Sequence, residues 1–233
     1  MDYNKIAKKY DIYGKQAITD WVLGYNNVLK FLLPLNNKSV LDYGCGVGKF
    51  SRFIRDSGAK IIAVDPSIKM IELAEQHDSA NIKYHYIKAP ELNFIQPSSL
   101  DAAVLNFVLC TVSSKDEIRA ILKAINRVLK TDSPLVILNV NWDKSNGKKF
   151  ISFELERAKN LKSGQKVNVV LKSKKPLKVK DCYWSRDDYI GMLAETGFKI
   201  DSIHEPLAKD EEHPWLDEKN YPPFLIIVAT KQN

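Results

Sequence analysis

The residue types and spacings that point most directly to chemistry in this chain are Asp42, Gly44, Gly46 and Gly48 in "VLDYGCGVGKF" and Asp65 in "IIAVDPS". Glycines spaced G-x-G-x-G let backbone approach a ligand closely, because no Cβ intervenes. A dinucleotide fingerprint would be G-x-G-x-x-G, and Lys49 stands where its third glycine belongs. A carboxylate at Asp42 would also repel a pyrophosphate and favour a ligand bearing an ammonium or a sulfonium. S-adenosylmethionine carries both groups and no phosphate. Asp65, roughly twenty residues further on, is placed to accept hydrogen bonds from two ribose hydroxyls.

The elements that must position these residues follow from apolar periodicity. Between Ile18 and Leu33, apolar residues at 18, 21, 22, 25, 28, 29 and 32 predict a helix that Pro34 ends. Short apolar runs then alternate with helical stretches. "SVLDYG", "KIIAVD", "IKYHYIKA", "AAVLNFV" and "LVILNVN" read as strands. The helices between them are signalled by Gly58 at one end, Ser67 as an N-cap, and Ser114 with Glu117 as a capping-box pattern. After residue 183, Ser185 and Gly197 bracket a further helix, and "KIDSIHE" and "PFLIIVATK" complete the strands. The rhythm predicts an α/β Rossmann-like fold: a seven-stranded, mostly parallel sheet with helices on both faces and ligands at the strand C-terminal ends.

"VLDYGCGVGKF", "IIAVDPSIKMI", "LDAAVLNFVLCTV" and "AINRVLKTDSPLVIL" together resemble the motifs of class I S-adenosylmethionine-dependent methyltransferases, over about Ser39–Asn141 and more loosely Trp184–Lys231. The resemblance implies an antiparallel last strand beside strand six. It implies S-adenosylmethionine as cofactor, with Asp42, Gly44, Gly46 and Gly48 around the methionine part and Asp65 at the ribose. Pro66 and Met70 would border the adenine. Ala89 and Pro90 occupy the positions where the family usually places an acidic contact to the adenine amino group, and Asn106 and Phe107 match positions bordering the methionine. An N-terminal lid (residues 1–34) carries Tyr3, Ile6, Tyr10 and Tyr13 on one helical face, with Tyr10 the candidate for cofactor contact. Methyl transfer needs alignment more than acid–base machinery, since the sulfonium is an activated donor.

Acceptor recognition is less legible. "NFVLCT" lacks the motifs that resembling enzymes use on adenine, glutamine or cytosine. Cys110 lies near this site, as a pocket residue or as a buried thiol. His204, at the end of strand six, is either a general base or a structural partner. Insertions after strand five cover the acceptor in the resembling family, and residues 144–183 fit such a cap within a single domain. The segment is predicted to hold a helix over Lys149–Leu161 and a hairpin. Trp142, Tyr183 and Trp184 flank it, lining a pocket or packing its hinge.

From Lys144 to Lys180 eleven lysines and Arg157 face two acids, a local net of +10 in a chain of net +7. A single arginine and the alternation of lysine with apolar residues favour a solvated hairpin face over an RNA surface. The expected function is therefore methyl transfer to a small organic acceptor under the cap. An RNA methyltransferase and a non-catalytic S-adenosylmethionine-binding protein are the alternatives. Cys45, Cys110 and Cys182 are odd in number and lack C-x-x-C spacing, which fits reduced thiols, no metal site and a cytoplasmic protein. No apolar run is long enough to span a membrane.

Overall fold

The computed structural model describes residues 2–78, 82–209 and 211–232. In chain order its helices are α1 (Tyr3–Gly14), α2 (Asn26–Leu32), α3 (Lys49–Asp56), α4 (Ile68–His77), α5 (Lys115–Val128), α6 (Trp142–Ser145) and α7 (Arg186–Glu195). Its strands are β1 (Ser39–Tyr43), β2 (Lys60–Asp65), β3 (Lys83–Tyr86), β4 (Ala102–Asn106), β5 (Pro134–Val140), β6 (Phe153–Leu155), β7 (Lys166–Leu171), β8 (Leu177–Cys182), β9 (Phe198–His204) and β10 (Phe224–Lys231). Seven strands form one sheet in the order β3-β2-β1-β4-β5-β10-β9. The β1, β2, β3, β4 and β5 pairings are parallel, while β10 runs antiparallel to both β5 and β9. The expected antiparallel last strand is present.

Consecutive strand residues enter opposite layers, as the two-residue period requires. Val40, Val104, Val136 and Ile226 join the layer beneath α2 and α3; Leu41, Ala103, Ile137 and Ile227 join the layer beneath α5 and α7. Strand order reverses direction at β1 and β4, which opens a crevice above their C-terminal ends. The glycine loop sits there, hung on β2 by the Gly44 and Cys45 amides donating to the Val64 carbonyl at 2.7 and 3.0 Å.

The helix caps follow the sequence. Ser67 accepts from the Met70 amide, Ser114 from the Glu117 amide, and Ser185 forms a reciprocal capping box with Asp188. The stretch expected as a helix from Ile18 to Leu33 is continuously helical over 18–32, with a π-helical turn over Asp20–Tyr25 running into α2.

The cap is also corrected. No helix covers Lys149–Leu161: the segment forms β6, which pairs antiparallel with β7 in a second sheet ordered β6-β7-β8. Burial explains this, because Phe153 and Leu155 turn inward on either side of Glu154. The Ile151 and Ser152 amides also donate to Glu218 Oε1 and Thr19 Oγ1, groups remote in sequence, rather than to a helical carbonyl. No helix among the described residues is long and apolar enough to cross a membrane.

Candidate functional site

The glycine loop is shaped by left-handed backbone. Gly44, Gly46 and Gly48 all have positive φ, between 54° and 76°. Their surroundings differ. A Cβ on Gly44 would lie 2.4 Å from Val108 Cγ2, and one on Gly48 would lie 2.5 Å from the Tyr84 hydroxyl. A Cβ on Gly46 would meet nothing within 4 Å. Gly46 therefore opens the cradle, while Gly44 and Gly48 let neighbouring side chains close around it.

The cradle is a cavity of about 260 Å³ walled by α1 and its N-cap (Asp2, Tyr3, Asn4, Tyr10), the loop (Gly44, Gly46), the turn from β2 into α4 (Asp65, Pro66, Ser67, Met70) and the end of β4 with the loop after it (Asn106, Phe107, Val108, Thr111). Behind it a smaller recess of about 40 Å³ is lined by Asp42, Lys49, Tyr10, Tyr25, Asn106 and the loop. Asp65 accepts from the Gly46 amide at 2.9 Å and the Ser67 amide at 2.8 Å, one on each oxygen. Each oxygen keeps a further lone pair for a ligand hydroxyl. Burial pushes this carboxyl up to about 6, against those two amides. Asp42 is pushed up to about 7 by burial, a rise that Ser51 opposes and Asp65 adds to. Both polar atoms of the Asn106 amide are buried with no partner in the protein. An unpaired buried amide beside two desolvated carboxyls fits a ligand with a cationic, zwitterionic end and a nucleoside diol.

β4 ends at Asn106 because Phe107 takes a left-handed φ of 58°, uncommon for a residue with a Cβ. That turn carries the Phe107 ring against Tyr25 and Phe224 and into the wall between the cradle and a second cavity.

The second cavity, about 50 Å³, lies under the cap. Tyr3, Tyr10 and Tyr13 from α1, Phe107, Val140 and Phe224 from the sheet, and Phe153, Val169, Leu171 and Val179 from the cap line it. Two carboxyls, Asp20 and Asp181, also face it. Tyr3, Tyr10, Phe107 and Thr111 line both cavities.

A profile of the family described as "Methyltransferase domain" matches residues 23–203. The chain belongs to that family. The methyltransferase is 29% identical over 239 residues to the N-demethylindolmycin N-methyltransferase of Streptomyces griseus, with 98% of each chain covered. It is 28% identical over 145 residues to an uncharacterised methyltransferase of Staphylococcus carnosus, covering 60% of this chain and 67% of that one. Its fold superposes with a TM-score of 0.63 and 24% identity on a putative S-adenosylmethionine-dependent methyltransferase of Listeria monocytogenes, covering 90% and 98% of the two chains. Against a Mesorhizobium loti S-adenosylmethionine-dependent methyltransferase the TM-score is 0.68 at 17% identity, covering 91% and 99%. The methyltransferase uses S-adenosylmethionine.

The residues singled out in the sequence separate into two groups. Tyr10, Asp42, Gly44, Gly46, Asp65, Pro66, Met70, Asn106 and Phe107 line the cradle or its recess, and Cys110 lines the capped cavity. Gly48, Ala89 and Pro90 line none of the three. Nor does His204, whose ring stacks on Phe31 at 4.3 Å and whose Nε2 pairs with Ser202 Oγ at 2.8 Å. Trp142 is buried in the main core. The Tyr183 hydroxyl donates to Asp143 of α6, and the Trp184 indole donates to the Val112 carbonyl in the loop after β4, so both fasten the end of the cap segment, and neither lines the cavity.

Asp20 and Asp181 were not anticipated. The second was legible: in "LKVKDC" the alternation that turns Leu177 and Val179 inward also turns Asp181 inward. The first was not, because a π turn breaks the helical phase on which a face is read.

Proposed function

We propose that the enzyme transfers a methyl group to a small organic acceptor held in the cavity between α1 and the cap. The observation that carries this is the shared wall of Tyr3, Tyr10, Phe107 and Thr111, which sets an apolar, capped cavity directly against the cradle. S-adenosylmethionine supplies an electrophilic methyl on its sulfonium. The protein's residues do the rest: Asp42 and the Asn106 amide hold the charged methionine end, Asp65 the ribose, and Pro66 and Met70 the adenine. Tyr10 and Phe107 stand at the junction and exclude water from it. The Streptomyces griseus relative, by its name, methylates a small molecule on nitrogen, which supports a small acceptor here.

At about 50 Å³ the capped cavity has room for a few waters, so an acceptor enters with α1 or the cap displaced. An RNA acceptor is disfavoured by geometry. The inward residues of β7 and β8 line the cavity, and the lysines alternating with them point the other way.

The test offers methyl-labelled S-adenosylmethionine to the purified protein with total RNA and, separately, with panels of small amines, alcohols and carboxylic acids. Label in a small molecule is the expected result. Label in RNA alone overturns the proposal.

A further inference from the structure

Asp181 is a carboxyl on the apolar face of a hairpin, 5% exposed, aimed into the capped cavity. Among the described residues no N–H or O–H group donates to it, and its near partner is the Cys110 thiol. Asp20 faces the same cavity and keeps one oxygen engaged by the Tyr13 hydroxyl at 2.8 Å. A buried acid in a mostly apolar chamber costs stability unless something positive pairs with it; Lys49 already acts on Asp20, whereas among the described residues Asp181 has the Cys110 thiol alone beside it. Six of the remaining lining side chains are aromatic, among them Tyr10, Phe107 and Phe224, and aromatic faces attract cations.

We propose that the acceptor is an amine, whose ammonium seats between Asp20 and Asp181 and gives its proton to Asp181. This rests on the small-acceptor reading above. The same walls repel a carboxylic acid and offer a neutral alcohol no charge to pair with.

The proton balance is simple. A protonated amine has no lone pair for attack, so one proton passes to the Asp181 carboxylate. The freed pair forms the N–C bond to the methyl carbon as the C–S bond breaks, its electrons going to sulfur. An N-methylammonium and a neutral thioether result, and Asp181 returns its proton to water.

Burial pushes both carboxyls up to about 7, Asp181 with Cys110 opposing the rise and Asp20 with the Tyr13 hydroxyl and Lys49 opposing it. Tyr3 and Tyr10 of α1 also face Asp181, and Tyr10 and Tyr25 face Asp20; all three tyrosines stay neutral, with burial raising them. A carboxyl in that range can accept a proton and release it near neutral pH.

The experiment is calorimetric titration of the full chain, saturated with S-adenosylhomocysteine so that no turnover occurs, with three probes of matched shape: 2-phenylethylamine, 2-phenylethanol and 3-phenylpropanoate. The amine is expected to bind at least tenfold more tightly than the alcohol, and the acid not at all. Asp181→Asn is expected to weaken the amine tenfold or more and leave S-adenosylhomocysteine binding unchanged, which also shows that the variant folds. Preference for the alcohol or the acid, or equal amine affinity in Asp181→Asn, overturns the amine inference while leaving a small acceptor in place. Binding of S-adenosylhomocysteine with none of the three probes removes the small-acceptor reading and the amine with it.

Discussion

Ser51 Oγ donates to Asp42 Oδ2 at 2.5 Å, linking the first turn of α3 to the end of β1. This contact holds charge on a carboxyl that is 1% exposed and that burial would otherwise keep neutral. With its pKa near 7, Asp42 loses charge on acidification. Affinity for S-adenosylmethionine should therefore fall between pH 8 and pH 6. Ser51→Ala should move the midpoint of that fall to higher pH. Calorimetry across this range, on both proteins, decides it; a flat profile would remove Asp42 from the binding account.

The buried acids also set a pH dependence of folding. Asp181 titrates near 7 when folded and near 4 when unfolded. The folded form thus binds the extra proton between those values, so the stability this group confers is full below about pH 4 and is lost as pH rises through 7. Asp181→Asn stays neutral throughout. Its melting temperature relative to the parent should rise from pH 5 to pH 8, and a constant difference would contradict the buried, unpaired carboxyl.

Glu218, fully buried, fastens three segments. It accepts from the Thr19 hydroxyl at 2.9 Å, the Ile151 amide at 2.6 Å and the Leu216 amide at 2.9 Å. Glu218→Ala orphans those donors at a cost of about 3 kcal/mol. For a chain of this size that is a fall in melting temperature on the order of 6–12 °C. Thermal unfolding by circular dichroism measures it.

Loss of Asp65 should act on binding more than on folding. Asp65→Ala removes both oxygens facing the cradle, and affinity for S-adenosylmethionine should drop on the order of 10–100-fold. The melting temperature should fall by less than in Glu218→Ala, since two amide donors rather than three groups are orphaned and they border an open cavity. Retained affinity would move the ribose elsewhere.

The lysine-rich cap makes an opposite prediction. Lys178 pairs with Glu156 at 2.7 Å, and Lys172 donates to the Phe150 carbonyl at 2.6 Å, so part of the local charge is already satisfied. RNA affinity should be weak at moderate salt. A steep linear fall of log affinity with log salt would instead reveal a phosphate-binding surface.

Local signals made the parallel sheet legible: serine caps, the Gly58 and Gly197 stops, and strands apolar on both faces. The cradle was legible for the same reason, since its residues cluster within a few positions of β1, β2 and β4. What escaped was set by distant contacts. Phe153 becomes a strand residue because it stacks against Phe224 and pairs with Leu171, neither of which a window around Lys149–Leu161 contains. Asp20 faces the cavity because of an unusual turn. The aromatics Trp142, Tyr183 and Trp184 looked equally suited to pocket or packing, and only tertiary context separates those uses.

One helix borders two cavities. Tyr3 and Tyr10 of α1 touch both chambers, and α1 is tied to α4 through Asn4 Oδ1, which accepts from the Ser67 hydroxyl at 2.8 Å and the Lys69 amide at 3.2 Å. A donor and an acceptor in these two cavities would share a single partition, and neither could settle against it without altering what the other meets. Thermodynamic reciprocity fixes the outcome: whatever factor the first ligand adds to the affinity of the second, the second returns to the first. A factor above one holds spent thioether most firmly while methylated product remains; a factor below one makes each hasten the other's departure.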